Sequence, residues 1–355
     1  MRKHFIDNVR WLTVLLLFPY HTARIFDGVQ PFYVKGAEMR AATVFVLACT
    51  PWFMPLLFVV AGISTRYALQ KRSTGAYIRE RFAKLFVPLI SGTLLLVPMQ
   101  TYFAEVFHNA YTGGYFGQYL LFFTKPTDLT GYTGGFTTGQ LWFISYLFLI
   151  SLIALPLIRL AHKRRIGWHD TPAALVLPLC CMILPFSYLL DIGGKSLGEY
   201  LVLFLLGYFV LAEEPVQAFT GRYRLALLSA GALLTAYTVV NRVSLKSGIG
   251  SRAIMLFTSW ICILAILGMG RRHLNFQNKW TQRLSASSFP FYLFHQSIIV
   301  CIGFYCLQTD RPGGLQYALI LSGSIVLSTL LYALCKRFRA LRFLFAIKDT
   351  PPPQK

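Results

Sequence analysis

Charge is scarce in this sequence. Only 13% of its 355 residues are Asp, Glu, Lys or Arg, about half the share that soluble domains carry. Acids are scarcer still, 13 Asp and Glu against 34 Lys and Arg. No polar stretch is long enough to bury a core of its own, so a single membrane domain is the expected organisation. The apolar/polar alternation of a membrane β-barrel is missing. Cysteine is sparse too: Cys49, Cys180, Cys181, Cys262, Cys301, Cys306 and Cys335 all lie in apolar segments at no zinc or redox spacing, so inert buried thiols are expected. There is no internal repeat, which removes the usual signature of transporters built from duplicated halves. No small-residue cleavage site follows the apolar run after MRKHFIDNVR, so the first segment reads as a retained span and not as a signal peptide.

What is present is apolar sequence, 55% of the chain, with a mean hydropathy of +0.55. Runs of about 20 apolar residues recur along its length, which predicts an all-α integral membrane protein of about ten transmembrane helices. The expected spans are 10–27, 44–68, 84–104, 139–160, 172–191, 198–213, 225–241, 252–270, 287–308 and 315–335. A membrane domain over 1–345 and a disordered, Pro-rich tail at 346–355 complete the expected layout. The net charge of +21 would suggest nucleic acid in a soluble protein. Here the cations cluster in short loops and read as topology signals, so no nucleic-acid partner is expected. Segments 1–10, 66–84, 159–165, 214–224, 271–283 and 336–355 hold 25 of the 34 Lys and Arg. The positive-inside rule then places both termini in the cytoplasm. The basic stretch KRFRALRFLF is expected to lie on the inner leaflet.

Ionisable residues inside apolar spans mark function by default. The segment IDNVRWLTVLLLFPYHTARIF (6–26) carries His21 eleven residues after Arg10, about 16 Å along a helix. With Arg10 at the cytoplasmic edge, His21 falls near the midplane. Pro19 frees a carbonyl one turn earlier and can bend the helix toward a cavity. SASSFPFYLFHQ (285–296) places His295 at a similar depth. AYIRERFAKLFVP (76–88) sets Arg79, Arg81 and Lys84 at the cytoplasmic mouth of the third span, and GQLWFISYLF (139–148) opens the fourth with Trp142. Each has a bland reading: a histidine bonded to a neighbouring helix, positive-inside anchoring, an interfacial tryptophan. Together they describe a cavity with two imidazoles at mid-depth and a basic cytoplasmic rim. Basic rims bind phosphates, and imidazoles deprotonate hydroxyls. That suits acyl transfer from a phosphorylated carrier to an alcohol. Two histidines without a convergent carboxylate make a poor zinc site, so no metal is expected.

These residues resemble the membrane-bound acyltransferase 3 family, and within it the glucan biosynthesis protein C branch, which succinylates periplasmic glucans. The family's basic residue and histidine, ten residues between them, match Arg10 and His21 behind Ile6-Asp7-Asn8. Its FxxSG phrase is matched by FVVAGIS (58–64), with Ala61 replacing the serine. The basic pair opening the third span is matched by Arg81 and Lys84. LWF stands at 141–143, FxLG at Phe204–Gly207 and YLxH at Tyr292–His295. The branch's LNFQ and LKFLF endings have counterparts at 274–277 and 341–345. The landmarks run in order over nearly the whole chain.

The resemblance implies a bacterial cytoplasmic (inner) membrane enzyme with acyl-CoA, acetyl-CoA or succinyl-CoA, as donor from the cytoplasm. Its acceptor would be a carbohydrate or other hydroxyl-bearing molecule on the far side. His21 would be catalytic, and Arg10, Arg81 and Lys84 would bind the donor. Lys84 keeps the charge of the usual arginine but loses bidentate phosphate binding. His295 is a second catalytic candidate, orienting His21, binding the acceptor or stabilising the oxyanion. Trp142 and Tyr292 are candidates for contact with the acceptor, and Asp7 for pairing with Arg10 or capping the first helix. Arg24, Arg66 and Arg252 are the candidates for a succinyl carboxylate. Two other classes compete: a ten-span exporter of a small anionic or lipid-linked solute, its path lined by Arg10, His21 and His295, and a structural partner of a glycan synthase.

Overall fold

Proline sets the pattern of the helices. In the computed structural model, which describes residues 3–164 and 171–347, the first apolar segment is not one helix but two, His4–Leu15 and Leu17–Phe26. The break at Leu16 lies one turn before Pro19, which has no N–H for the Leu15 carbonyl. Further on, Phe82–Phe86 is a π-helical turn leading into Val87–Leu95. Pro88 cannot bond to the Lys84 carbonyl, and the Val87 N–H reaches Phe82 instead. A third break, at Leu96, precedes Val97–Asn109 and its Pro98. Pro98 frees the Leu94 carbonyl, and the Tyr119 hydroxyl donates to it at 2.5 Å.

Six helical stretches among the described residues are long and apolar enough to cross a bilayer: Arg40–Leu69, Thr74–Asn109, Gly139–Lys163, Ile249–His273, Lys279–Leu307 and Gly313–Cys335. A seventh, Leu197–Leu211 with Glu214–Arg222, is bent by 94°. Ala173–Phe186 and Arg224–Val240 are shorter apolar helices. The fold is that of an all-α membrane protein. Its described strands are the two-residue pair Asp191–Ile192 and Lys195–Ser196. Gly193 and Gly194 turn between them at φ of +59° and +77°, values open to glycine without strain. Six expected spans fall on full-length helices. The four at 10–27, 172–191, 198–213 and 225–241 fall on shorter or broken ones. Of the expected tail at 346–355, residues 348–355 lie outside the described residues.

The chain divides into two compact units. The first comprises Met1–Thr13, Val44–Glu80 and Tyr146–Asn278. Here the FVVAGIS and FxLG phrases meet. A Cβ on Gly62 would run into the backbone carbonyl of Phe204, and one on Gly207 into that of Val59, so the glycines let two helix backbones touch. The Asn8 amide donates to the Leu274 and Phe276 carbonyls at 2.7 and 2.8 Å, closing the end of helix Ile249–His273. That gives the IDN and LNFQ phrases a structural role.

The second unit comprises Val14–Thr43, Arg81–Ser145 and Lys279–Lys355. Helix Lys279–Leu307 packs there against Leu17–Phe26, Val97–Asn109 and Gly313–Cys335. The LRFLF phrase is anchored at its end. It forms the short helix Arg339–Leu344, Phe345 and Ile347 are buried, and the Phe345 ring meets Phe294 at 5.1 Å. The Ser91 hydroxyl donates to the Leu344 carbonyl at 2.7 Å. Burial of Phe345 and Ile347 anchors the end of the stretch, while Phe338 and Phe343 stay exposed.

Candidate active site

Within the second unit, His21 and His295 face each other with ring centroids 5.0 Å apart. His21 sits in the turn that follows Pro19. Phe32 stacks on it at 6.1 Å and 29°, and Tyr20 meets it edge-on at 5.3 Å. His295 is fully buried. Its Nδ1 lies 2.7 Å from the Tyr292 carbonyl and 3.2 Å from that of Phe291. Carbonyl oxygens only accept, so Nδ1 carries the proton and Nε2 presents a lone pair in the neutral ring. His295 Nε2 and His21 Nδ1 are both buried and have no hydrogen-bond partner among the described residues. Such atoms are costly unless they serve a purpose, and catalysis is one.

A buried amide network holds the helix that carries His295. The Gln100 amide donates to Gln140 Oε1 and to Ser297 Oγ, both at 2.7 Å, and accepts from Gln296 at 2.8 Å. The Gln140 amide donates to the Leu293 carbonyl at 2.8 Å, and the Tyr292 hydroxyl donates to the Gln140 carbonyl at 2.5 Å. Ser297 in turn donates to the Leu96 carbonyl, beside the break in that helix. Three elements are thereby tied around one imidazole. None of the four polar residues was singled out from the sequence. Their only signal is adjacency, Gln140 to LWF and Gln296-Ser297 to His295. Replacing Gln100 with Leu leaves three polar partners short of a bond. The expected result is an unfolding free energy lower by about 0.6–2 kcal/mol and a reduced kcat with unchanged donor KM, read by thermal unfolding in detergent and by steady-state assay.

In the last turn of helix Leu17–Phe26, Arg24 pairs with Asp27 at 3.0 Å and donates to the Pro31 carbonyl, and both charged side chains are buried. Asp27 also accepts from the Val29 and Gln30 N–H groups. Lys35 donates to the Arg24 and Asp27 carbonyls, capping that helix. Burial pulls the Lys35 ammonium below its ordinary pKa despite the nearby Asp27. The other two candidates for a succinyl carboxylate are also matched by acids: Arg66 with Glu213 at 2.6 Å, and Arg252 with Glu199.

Tyr292 is buried beside His295, ring centroids 6.1 Å apart, with its hydroxyl given to Gln140. Trp142, half-buried, is the first residue of helix Trp142–Lys163. Arg81 and Lys84 flank and occupy the π-helical turn before Pro88. Arg10 belongs to the first unit, where it donates to Asp7 at 3.0 Å and to Ser64 at 2.6 Å. Ser64 closes the FVVAGIS phrase. No group of three His, Cys, Asp or Glu able to hold a metal ion occurs among the described residues.

The fold and the paired imidazoles belong together with a polytopic membrane enzyme. Residues 3–333 match the acyltransferase 3 family, described as an acyltransferase domain; the chain belongs to this family and is an acyltransferase. It is similar over its full length to Glucans biosynthesis protein C of Salmonella schwarzengrund, 22% identical and covering 96% of that protein. The proteins of that name from Salmonella typhi and Salmonella heidelberg are 21% and 22% identical, each with all of this chain and 96% of the relative aligned. No solved structure matches the chain.

Proposed function

We propose that this acyltransferase moves an acetyl or succinyl group from acyl-CoA, entering from the cytoplasm, to a hydroxyl of a glycan or similar acceptor outside the bacterial inner membrane. The proposed topology has about ten spans with both termini cytoplasmic, and the acyltransferase domain runs over 1–345. The observation that carries the reading is the imidazole pair, His295 buried and His21 half-buried, each ring with a buried, unpartnered nitrogen. His21 takes the proton of the acceptor hydroxyl as general base. The alkoxide attacks the thioester carbonyl. The tetrahedral intermediate expels the CoA thiolate, which recovers the proton from the imidazolium. His295, its tautomer set by two helix carbonyls, offers Nε2 as an acceptor that orients His21 or the incoming hydroxyl. Arg10, Arg81 and Lys84 are the proposed holders of the donor's phosphates, and Trp142 and Tyr292 of the acceptor. Three acids matched to Arg24, Arg66 and Arg252 support an uncharged acyl group, acetyl, over succinyl.

The test uses protein purified into lipid nanodiscs, with binding of acetyl-CoA, succinyl-CoA and CoA measured for wild type and Arg10→Ala. Wild type is expected to bind an acyl-CoA and Arg10→Ala to bind it about tenfold more weakly or worse, with kcat retained at saturating donor. Failure of wild type to bind any CoA species would reject the donor assignment and favour export of an anionic solute through the same residues.

A further inference from the structure

A groove on the first unit has the form of a phospholipid site. Two adjoining cavities share Thr74, Leu155 and Arg159. The larger, about 560 Å³, is a trough lined by Ile78, Leu152, Leu155, Pro156 and Leu160. The smaller, about 200 Å³, is mixed, with Arg72, Arg159, His162 and Gln70 in its wall beside Leu69 and Ile158. Lys163 stands at the rim. Arg72 is paired with Glu80; Arg159 and Lys163 are exposed and enter no ion pair among the described residues.

The placement of these groups is what identifies the occupant. Thr74 begins one membrane-length helix and Lys163 ends another, so the cations stand at helix ends, where a bilayer meets water. From Lys163 back to Leu152 is eleven residues, about 16 Å of helix. That is the depth of one leaflet, half of a hydrocarbon core of about 30 Å. The trough therefore runs from a cationic mouth one acyl chain deep into the apolar zone. The same helix also exposes Ile153 and Leu157, each 41%, as a helix facing lipid does. A nucleotide-bearing ligand would set its ribose and base against this apolar wall, whereas an acyl chain fits it.

We propose that this groove binds an anionic phospholipid, with its phosphate at Arg159 and Lys163 and one acyl chain along Leu152, Leu155 and Pro156. The groove belongs to the first unit and the imidazole pair to the second, and the inference does not depend on which acyl group is transferred.

The experiment is native mass spectrometry of the full chain released from detergent with equal phosphatidylglycerol and phosphatidylcholine of identical acyl chains. Parallel arms add sodium phosphate or CoA to the same lipid mixture. Wild type is expected to retain phosphatidylglycerol over phosphatidylcholine. Arg159→Gln/Lys163→Gln is expected to lose that preference by about thirtyfold, and the charge-conserving Arg159→Lys/Lys163→Arg to keep it. Arg242→Gln/Lys246→Gln, which removes two cations elsewhere, is expected to leave it unchanged. Equal retention of the two lipids by wild type would overturn the proposal. So would unaltered preference in the Gln variant, equal loss in the Arg242/Lys246 control, or phosphate or CoA displacing lipid one for one at this site.

Discussion

His21→Ala is expected to lower acyl transfer by about 10²–10⁴, the range that removal of a positioned general base produces, while acyl-CoA still binds. The substitution should not cost the fold. It deletes a ring whose Nδ1 is buried without a partner, so no hydrogen bond to Nδ1 is broken and no polar group elsewhere is orphaned by that loss. What disappears is the acceptor of the hydroxyl proton. Single-turnover release of CoA in the presence of acceptor, in protein that runs as one peak on size exclusion, separates chemistry from folding. A variant within about threefold of wild type, well short of the span for general-base removal, would mean that His21 is not the base. The alternative, a covalent acyl-histidine, predicts acylated wild-type protein by mass spectrometry when acceptor is withheld, and none in His21→Ala.

Gly62→Val is expected to yield no correctly folded protein. The added Cβ would meet the carbonyl of Phe204 and the backbone nitrogen of Tyr208, and neither can rotate away as a side-chain tip can. The two helices must separate, and with them the reciprocal contact of Gly207 against Val59. Overpacking with mobile neighbours costs about 1–3 kcal/mol, and backbone against backbone exceeds that. Gly75→Val is the control, since nothing lies within 4 Å of a Cβ there. Fluorescence-detected size exclusion of the two variants should show aggregation for the first and a normal peak for the second. A monodisperse Gly62→Val would show that the helices are not packed through this glycine.

Much of this was legible in the sequence because hydropathy and proline act locally. Six of the long apolar runs returned as full-length helices, two of them with Pro156 and Pro290 inside, whereas the proline-free run 225–241 returned as the shorter helix Arg224–Val240. Pro19 announced the break in the first segment, and the similar depth of His21 and His295 anticipated their meeting. Arg10 with Asp7 and Arg24 with Asp27 are one helical turn apart, the spacing at which side chains meet. Arg66 with Glu213 and Arg252 with Glu199 are distant in sequence, and no local pattern joins them. The amide network escaped for the same reason. A glutamine in an apolar segment has no periodicity, and only the packing of three helices shows that Gln100, Gln140 and Gln296 satisfy one another. The two glycine phrases were recognised as family landmarks, but their mutual contact is a property of backbones brought together by the fold.

The carbonyl freed by Pro98 and occupied by Tyr119 ties the substitution histories of two positions 21 residues apart. A tyrosine-to-phenylalanine exchange scores as conservative in any pairwise comparison, yet here it strips a hydroxyl from a main-chain oxygen that the helix can no longer satisfy. Restoring an N–H at residue 98 removes the need for that hydroxyl. Among relatives only about a fifth identical to this chain, proline at 98 should therefore keep company with a hydroxyl-bearing or amide side chain at 119, and non-proline residues at 98 should release position 119 to drift.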